Sequence, residues 1–474
     1  MRFTTPRLVV AGLSGDSGKT LVSLGIASAL RKRGVDVAPF KKGPDYIDAA
    51  WLGAATGRPG RNLDTFLQGP EALGAILARG GCDESKGLAL VEGNRGLFDG
   101  SDAAGTHSTA ELAKRLGAPV VLVVDVTKST RTVAALVLGC RALDPDVPLA
   151  GVVLNRVATP RQERVIREAL EQAGGPPVLG AVPRIGEDPL PGRHLGLVTA
   201  AEHPGTQEAI AVAARLAESH VDLDALLDLA GRAPAVELPD REPPPRGSPV
   251  RIGVLRDEAF SFYYPENLEA LEERGGRIVP FSALAGDALP DVDAVYVGGG
   301  FPELYAARLA AHRGLGESLR AAVADGMPVY AECGGLMYLG KALVTDGVAH
   351  PMVGVLDLVV EQTPRPLGHG YTEGTVEQAN PFFETGTQLR GHEFHYSRTS
   401  YGGDRGATVV GLGRGTGIGD GRDAIVKGRV WASYLHLHAL GTPAWAPGLV
   451  GAARTYRDER DEGRERPEVS AACG

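Results

Sequence analysis

The chain has only four cysteines in 474 residues: Cys82, Cys140, Cys333 and Cys473. They are widely scattered, with no CxxC pair and no metal-ligand spacing, which excludes a disulfide framework and fits a reducing compartment. No apolar run approaches the ~18 residues that a membrane-spanning helix needs. No signal-like segment opens the chain, which runs straight into a strand pattern, so a cytoplasmic location is expected. A cationic surplus is also missing. The 49 Lys and Arg are outnumbered by 58 Asp and Glu, for a net charge of −9, and this gives no footprint for nucleic acid. No internal repeat of fixed period is visible.

What is present is a hydrophobic fraction of 43%, ample for packed cores in a chain of about two to four domains. Strand-like runs at 8–11, 35–40, 88–91, 120–126 and 149–154 alternate with helical patterns such as 21–33 and 109–116. Continuous Val/Ile/Leu runs separated by helices predict a parallel sheet covered on both faces. Residues 231–249 interrupt this rhythm with six prolines and mixed charge, and read as a semi-rigid linker after a first domain, 1–230. A second α/β domain, 250–454, begins with the run at 250–255 and continues through 293–297 and 329–331, with a strand-rich region from 354 to 434. Residues 455–474 are charged and poor in apolar side chains, so disorder is expected there.

The first strand run ends in LSGDSGKT, residues 13–20. A strand, a glycine-bearing loop and Gly18-Lys19-Thr20 at a helix start suit phosphate oxygens, with Lys19 on the outer phosphates and the Thr20 hydroxyl on Mg²⁺. The spacing is not that of a strict Walker loop: Leu13 stands where the first glycine would be, and Gly12 comes one residue early. Gly12, Gly15, Asp16, Ser17, Gly18, Lys19 and Thr20 form the expected nucleotide cradle. Glu92 closes another strand on the same sheet edge, placed to hold the metal. Between the two lies FKKGPDYID, residues 40–48. Lys41, Asp45 and Asp48 follow a strand of that sheet and can converge on the phosphate end. Lys41 would neutralise a transferring phosphoryl group, and the acids would bind metal or position the acceptor.

Residues 327–338, MPVYAECGGLMY, read as a short buried strand, a sharp two-glycine turn and a helix. Such an elbow exposes its side chain at the C-terminal edge of a sheet. Here that side chain is the Cys333 thiol, at a helix N-terminus that favours the thiolate. It is a candidate nucleophile, against the alternative of a buried structural cysteine.

Together these motifs resemble the cobyrinate a,c-diamide synthase family over nearly the full length. The resemblance is carried by LSGDSGKT, FKKGPDYID, RNLD (61–64) and EGNRGLFDG (92–100), then by AFSFYYPENLEAL (259–271), GGGFPELY (298–305), AECGGLMYLG (331–340) and SYLHLH (433–438). The paralogous cobyric acid synthases share the architecture but lack the GPDYID stretch. The resemblance implies an α/β chain with a dethiobiotin-synthetase-like P-loop domain followed by a class I glutamine amidotransferase-like domain. It further implies Asn155 as adenine reader, Asp99 near the acceptor, and Gly298, Gly299 and Gly300 as oxyanion donors. His436 is implied as the base for Cys333, with His438 where the usual His-x-Glu pair has its glutamate, and so no acid to orient the base. GHEFHYS (391–397) is expected to line a substrate pocket or pack beside His436.

The activity so implied is ATP-dependent amidation of the a and c acetates of a corrin-type tetrapyrrole through an acyl phosphate, with L-glutamine as nitrogen donor. ATP and Mg²⁺ are the cofactors and a homodimer is an open expectation; neither nucleic acid nor membrane is a partner. Asn94-Arg95 follows Glu92-Gly93 where apolar residues are usual in corrin enzymes, which keeps sirohydrochlorin, its nickel complex and sirohaem as alternative acceptors. A cobyric acid synthase or a P-loop ATPase switch are further alternatives, the latter leaving Cys333 and His436 without a role.

Overall fold

Uninterrupted Val, Leu and Ile runs are stable only when both faces of a strand are covered, and they form the sheet centres here. The computed structural model describes residues 2–82, 87–186, 189–190, 192–193, 196–237, 248–402 and 406–465. The chain divides into two compact units, Met1–Arg241 and Glu242–Gly474.

Unit 1 is a parallel sheet of β1 (Arg7–Gly12), β2 (Asp36–Lys42), β3 (Arg61–Leu63), β4 (Gly87–Gly96), β5 (Val120–Asp125), β6 (Leu149–Val157) and β7 (Val178–Pro183). The strand order is β3-β2-β4-β1-β5-β6-β7. Leu8, Val9, Val10 and Ala11 are fully buried at its centre. Helices α1 (Lys19–Lys32), α2 (Tyr46–Thr56), α3 (Thr109–Leu116) and α4 (Thr206–His220) cover the sheet. At Gly25 a Cβ would lie 2.5 Å from the Ala213 carbonyl oxygen, so only glycine lets α1 and α4 pack this closely. Register pairs Lys41 with Glu92 and Val10 with Glu92, bringing the C-terminal ends of β1, β2 and β4 to one edge.

Unit 2 has a mixed sheet of ten strands among the described residues, in the order β9-β8-β10-β11-β16-β15-β14-β12-β13-β17. Its parallel half is β8 (Val250–Leu255), β9 (Gly276–Phe281), β10 (Ala294–Val297), β11 (Val329–Glu332) and β16 (Val430–Ser433). The antiparallel half is β12 (Gly368–Val376), β13 (Gln388–His395), β14 (Ala407–Arg414), β15 (Arg422–Lys427) and β17 (His436–Leu437). Helix α5 (Pro265–Glu273) and the short α6 (Gly334–Leu339) complete the part that positions the second site.

The disorder expected over 455–474 is corrected for 455–465 by α7 (Trp445–Glu465). Its charge hides an apolar stripe in which Leu449, Val450, Ala453 and Tyr456 are all buried. Farther along, Arg460 reaches the buried Asp293 at 2.9 Å. Residues 466–474, and 238–247 of the expected linker, lie outside the described residues.

Candidate active sites

The loop after β1 is shaped by backbone geometry that few side chains permit. Asp16 and Gly18 both take left-handed φ values, 55° and 82°. A Cβ on Gly12 would sit 2.5 Å from Ser17 Oγ, so the early glycine is needed for the loop to fold over itself. Gly15 faces open space. Asn155 donates through Nδ2 to the Ser17 carbonyl at 2.9 Å, and a Cβ on Gly18 would collide with it at 2.0 Å. The observed work of Asn155 is thus to brace the loop from β6.

Lys41 is fully buried, and its Nζ donates to Asp48 at 2.6 Å, Glu92 at 2.9 Å and the Gly93 carbonyl at 3.1 Å. Thr20 Oγ1 donates to the same Glu92 oxygen at 2.8 Å. Burial alone would lower the Lys41 ammonium; the carboxylates of Asp48, Glu92 and Asp45 outweigh it and hold it charged. Burial would raise Asp48, but Lys41 and Lys19 hold it low. For Lys19, burial and the Lys41 charge lower its value. Asp45 caps α2, accepting from the Ile47 and Asp48 amides at 2.9 and 3.0 Å, and burial with the Asp48 charge pushes it up. Lys19, Thr20, Lys41, Asp45, Asp48 and Glu92 therefore form one cluster.

Asp99 is turned differently from expectation: its Oδ2 accepts from the Gly96 amide at 2.8 Å, closing a turn after β4. A short carboxylate within three residues of a free amide satisfies that amide first. Glu92 Oε2 is buried without a hydrogen-bond partner, and burial raises the carboxyl. An orphaned carboxylate oxygen beside a loop threonine fits a hard divalent cation. Among the described residues no three His, Cys, Asp or Glu side chains form a metal-binding group. Remaining ligands would be phosphate oxygens and water, the pattern magnesium prefers.

In unit 2, Cys333 follows β11 with φ 46° and ψ −96°, a strained backbone for a residue with a Cβ. Its amide donates to the Ser433 carbonyl at 2.7 Å, tying the elbow to β16. The thiol is buried, and burial pushes it well up, reinforced by Glu303, Glu332 and Asp423 against the Gly334 amide. The thiolate expected from the helix start is therefore not favoured, because α6 is only six residues long and desolvation dominates.

His436 lies against the glycine run: a Cβ on Gly299 would be 2.4 Å from its Cε1. A Cβ on Gly334 would be 3.1 Å from the Gly300 nitrogen, so imidazole, glycine backbone and elbow adjoin. Gly298 leaves the expected oxyanion set, since its amide donates to Tyr263 Oη at 2.8 Å. His438 is turned elsewhere, with Nε2 3.5 Å from Glu266 and Nδ1 accepting from the Leu440 amide at 3.2 Å. GHEFHYS packs beside His436: His392 stacks on it at 4.8 Å, and His395 stacks on Tyr434 at 3.6 Å.

Although the resemblance leaves His436 without an acid at position 438, a carboxylate lies near it. Glu332 Oε2 lies 3.8 Å from its Nδ1, with both side chains buried. A carboxylate on a buried strand must find partners, but nothing local in the sequence says which. Asp423 was missed entirely. Its carboxylate accepts from the Tyr434 and Leu435 amides at 3.1 and 2.9 Å, fixing the approach to His436.

A P-loop edge with a cation-ready carboxylate, and a thiol elbow beside an imidazole, define a nucleotide-binding unit joined to an amidotransferase unit. Residues 8–195 match a CobQ/CobB/MinD/ParA nucleotide binding domain, and residues 251–444 match a CobB/CobQ-like glutamine amidotransferase domain. The chain is similar to a cobyrinate a,c-diamide synthase of Magnetococcus marinus, 43% identical across 97% of this chain and 98% of that one. Proteins of the same name from Syntrophotalea carbinolica and Archaeoglobus fulgidus are 43% and 41% identical. They cover 96% and 94% of this chain, and 99% and 97% of their own length. The chain belongs to the cobyrinate a,c-diamide synthase family, and is a carbon–nitrogen ligase that draws nitrogen from glutamine. No helix of the described residues is long and apolar enough to cross a membrane.

Proposed function

We propose that the protein amidates the a and c acetates of a cobyrinate-type tetrapyrrole, using ATP to activate each carboxylate as an acyl phosphate. The observation that carries this reading is Lys41, held at the P-loop edge between Asp48 and Glu92. A buried ammonium beside Lys19 suits the charge that spreads over a transferring phosphoryl group. Lys19 and the amides of the 12–18 loop hold the nucleotide phosphates, Asn155 meets the base, and Asp45 and Asp48 position the acceptor carboxylate through the Lys41 ammonium that they hold. Asp99 supports this edge through its turn. Mg²⁺, held by Thr20 and Glu92, would neutralise charge on the phosphates.

In unit 2, His436 takes the proton of Cys333 as the sulfur attacks the glutamine side-chain amide, and the Gly299 and Gly300 amides receive the oxyanion. The ammonia released displaces phosphate from the activated acetate. On this reading the two units, divided within residues 231–249, carry independent chemistries. The test is incubation with ATP, Mg²⁺, glutamine and cobyrinic acid, with product mass followed. Two added amides and two ATP consumed are expected; no ATP consumption with any corrin would overturn the reading. Arg95, exposed on a left-handed backbone at the same edge (φ 48°), favours one second reading. In it the acceptor is a sirohydrochlorin-type macrocycle with more carboxylates to pair, and a parallel reaction with that acceptor separates the two.

A further inference from the structure

A carboxylate lies near His436, but not where a His-x-Glu pair would put it. Position 438 is His438, whose Nδ1 accepts from the Leu440 amide and whose Nε2 faces Glu266 at 3.5 Å, so no carboxylate two residues beyond His436 orients the imidazole. Glu332, immediately before the nucleophile, reaches across from β11 instead. Its Oε1 accepts from the Leu437 amide at 3.1 Å and its Oε2 from Tyr296 Oη at 3.1 Å. Two neutral donors fix where the carboxylate points without cancelling its charge. Oε2 then lies 3.8 Å from His436 Nδ1, within ion-pair range and about 1 Å beyond a good hydrogen bond. Catalytic contacts commonly tighten by that much when substrate binds. On its other side the ring is held by His392, stacked at 17°, and by Gly299.

We propose that Glu332 is the positioning carboxylate of the thiol–imidazole couple, holding the proton of neutral His436 on Nδ1 so that Nε2 faces the thiol. The inference rests on the reading of Cys333 and His436 as the glutaminase pair. As the C–S bond forms, the thiol proton moves to Nε2; as the amide C–N bond breaks, that proton passes to the leaving nitrogen. Glu332 stays ionised throughout and stabilises the transient imidazolium, as the buried acid of a Ser-His-Asp triad does.

The test compares Glu332→Gln with Tyr296→Phe in the full chain, assaying glutamine hydrolysis and the His436 tautomer by NMR of ¹⁵N-histidine protein. His436 signals are assigned by their loss in His436→Gln. Glutamine at 332 keeps an acceptor for Leu437 and a partner for Tyr296 but has no charge. It should lower kcat about 10- to 100-fold with KM within about twofold, because only the charged transition state loses a partner. The Nδ1–H tautomer of the parent should be lost. Tyr296→Phe removes a brace and keeps the charge, and should fall far less. A parent-like kcat in Glu332→Gln, or an equal fall in both variants, would mean that Glu332 only braces β17 and would overturn the proposal. If Glu332→Gln does not fold, the parent tautomer decides, and a proton on Nε2 overturns it. Near-parental glutaminase in Cys333→Ala or His436→Ala would instead sink the reading beneath it.

Discussion

At the level of single residues, the first site depends on charges that cannot be removed one at a time with equal effect. Lys19 is partly exposed at the start of α1, whereas Lys41 is 1% exposed between two carboxylates. Lys19→Ala should leave the fold intact and abolish synthesis with glutamine or ammonia, while glutamine hydrolysis persists; near-parental synthesis with ammonia would refute the P-loop assignment. Lys41→Met should do the same and also destabilise the protein by about 3 kcal/mol, since it strands buried carboxylates, which denaturant unfolding will measure. In the second site, His436→Ala should cost about 10²–10⁴-fold in glutaminase, and His438→Ala much less, because His438 faces Glu266. Strand direction alone could not separate two histidines on one strand face, where the family resemblance favours His436; in the structure the two have different neighbours. Lys19, Thr20, Glu92 and Cys333 were legible because local spacing places them. Glu332 and Asp423 were not, because their work depends on strands over a hundred residues away, or eleven in the case of Tyr434, whose pairing no local pattern reveals.

Among the elements, the connection from β16 to β17 is held by Asp423, whose carboxyl burial lifts to about 6. The sign follows from linkage. A carboxyl raised in the folded state binds more protons folded than unfolded, so it favours folding at low pH and loses that contribution as pH rises from about 4 to about 6. Asp423→Asn should remove this part of the slope of stability against pH in that window, as urea unfolding at a series of pH values will show; an unchanged slope would place the carboxyl in the ordinary range. Helix α7 marks where composition misled. Its last turns are dense in Arg, Asp and Glu, yet Tyr456 is 6% exposed and lies under Arg460, whose guanidinium is 5.6 Å from the ring centre. Ending the chain at Thr455 should therefore lower stability by about 2 kcal/mol from Tyr456 burial alone, read as a lower melting temperature. The strands of both units were legible at their centres, because buried parallel strands need uninterrupted apolar runs. Their polar ends, such as Lys41 and Lys42 in β2, were less so, since nothing local says that a lysine there is buried.

Across the whole molecule, two compact units each carry a site built from their own strands. If unit 2 only supplies ammonia and unit 1 only activates and amidates the acceptor, disabling one must spare the other. Cys333→Ala tests this most directly, since alanine removes the sulfur without adding bulk to the elbow. The measurement is product mass from the variant with ATP, Mg²⁺ and a cobyrinate-type acceptor, supplied with glutamine or with ammonia at raised pH. No amide from glutamine, and one then two amides from ammonia at near-parental rate, is the predicted result. A folded, nucleotide-binding variant that makes product with neither donor would contradict it.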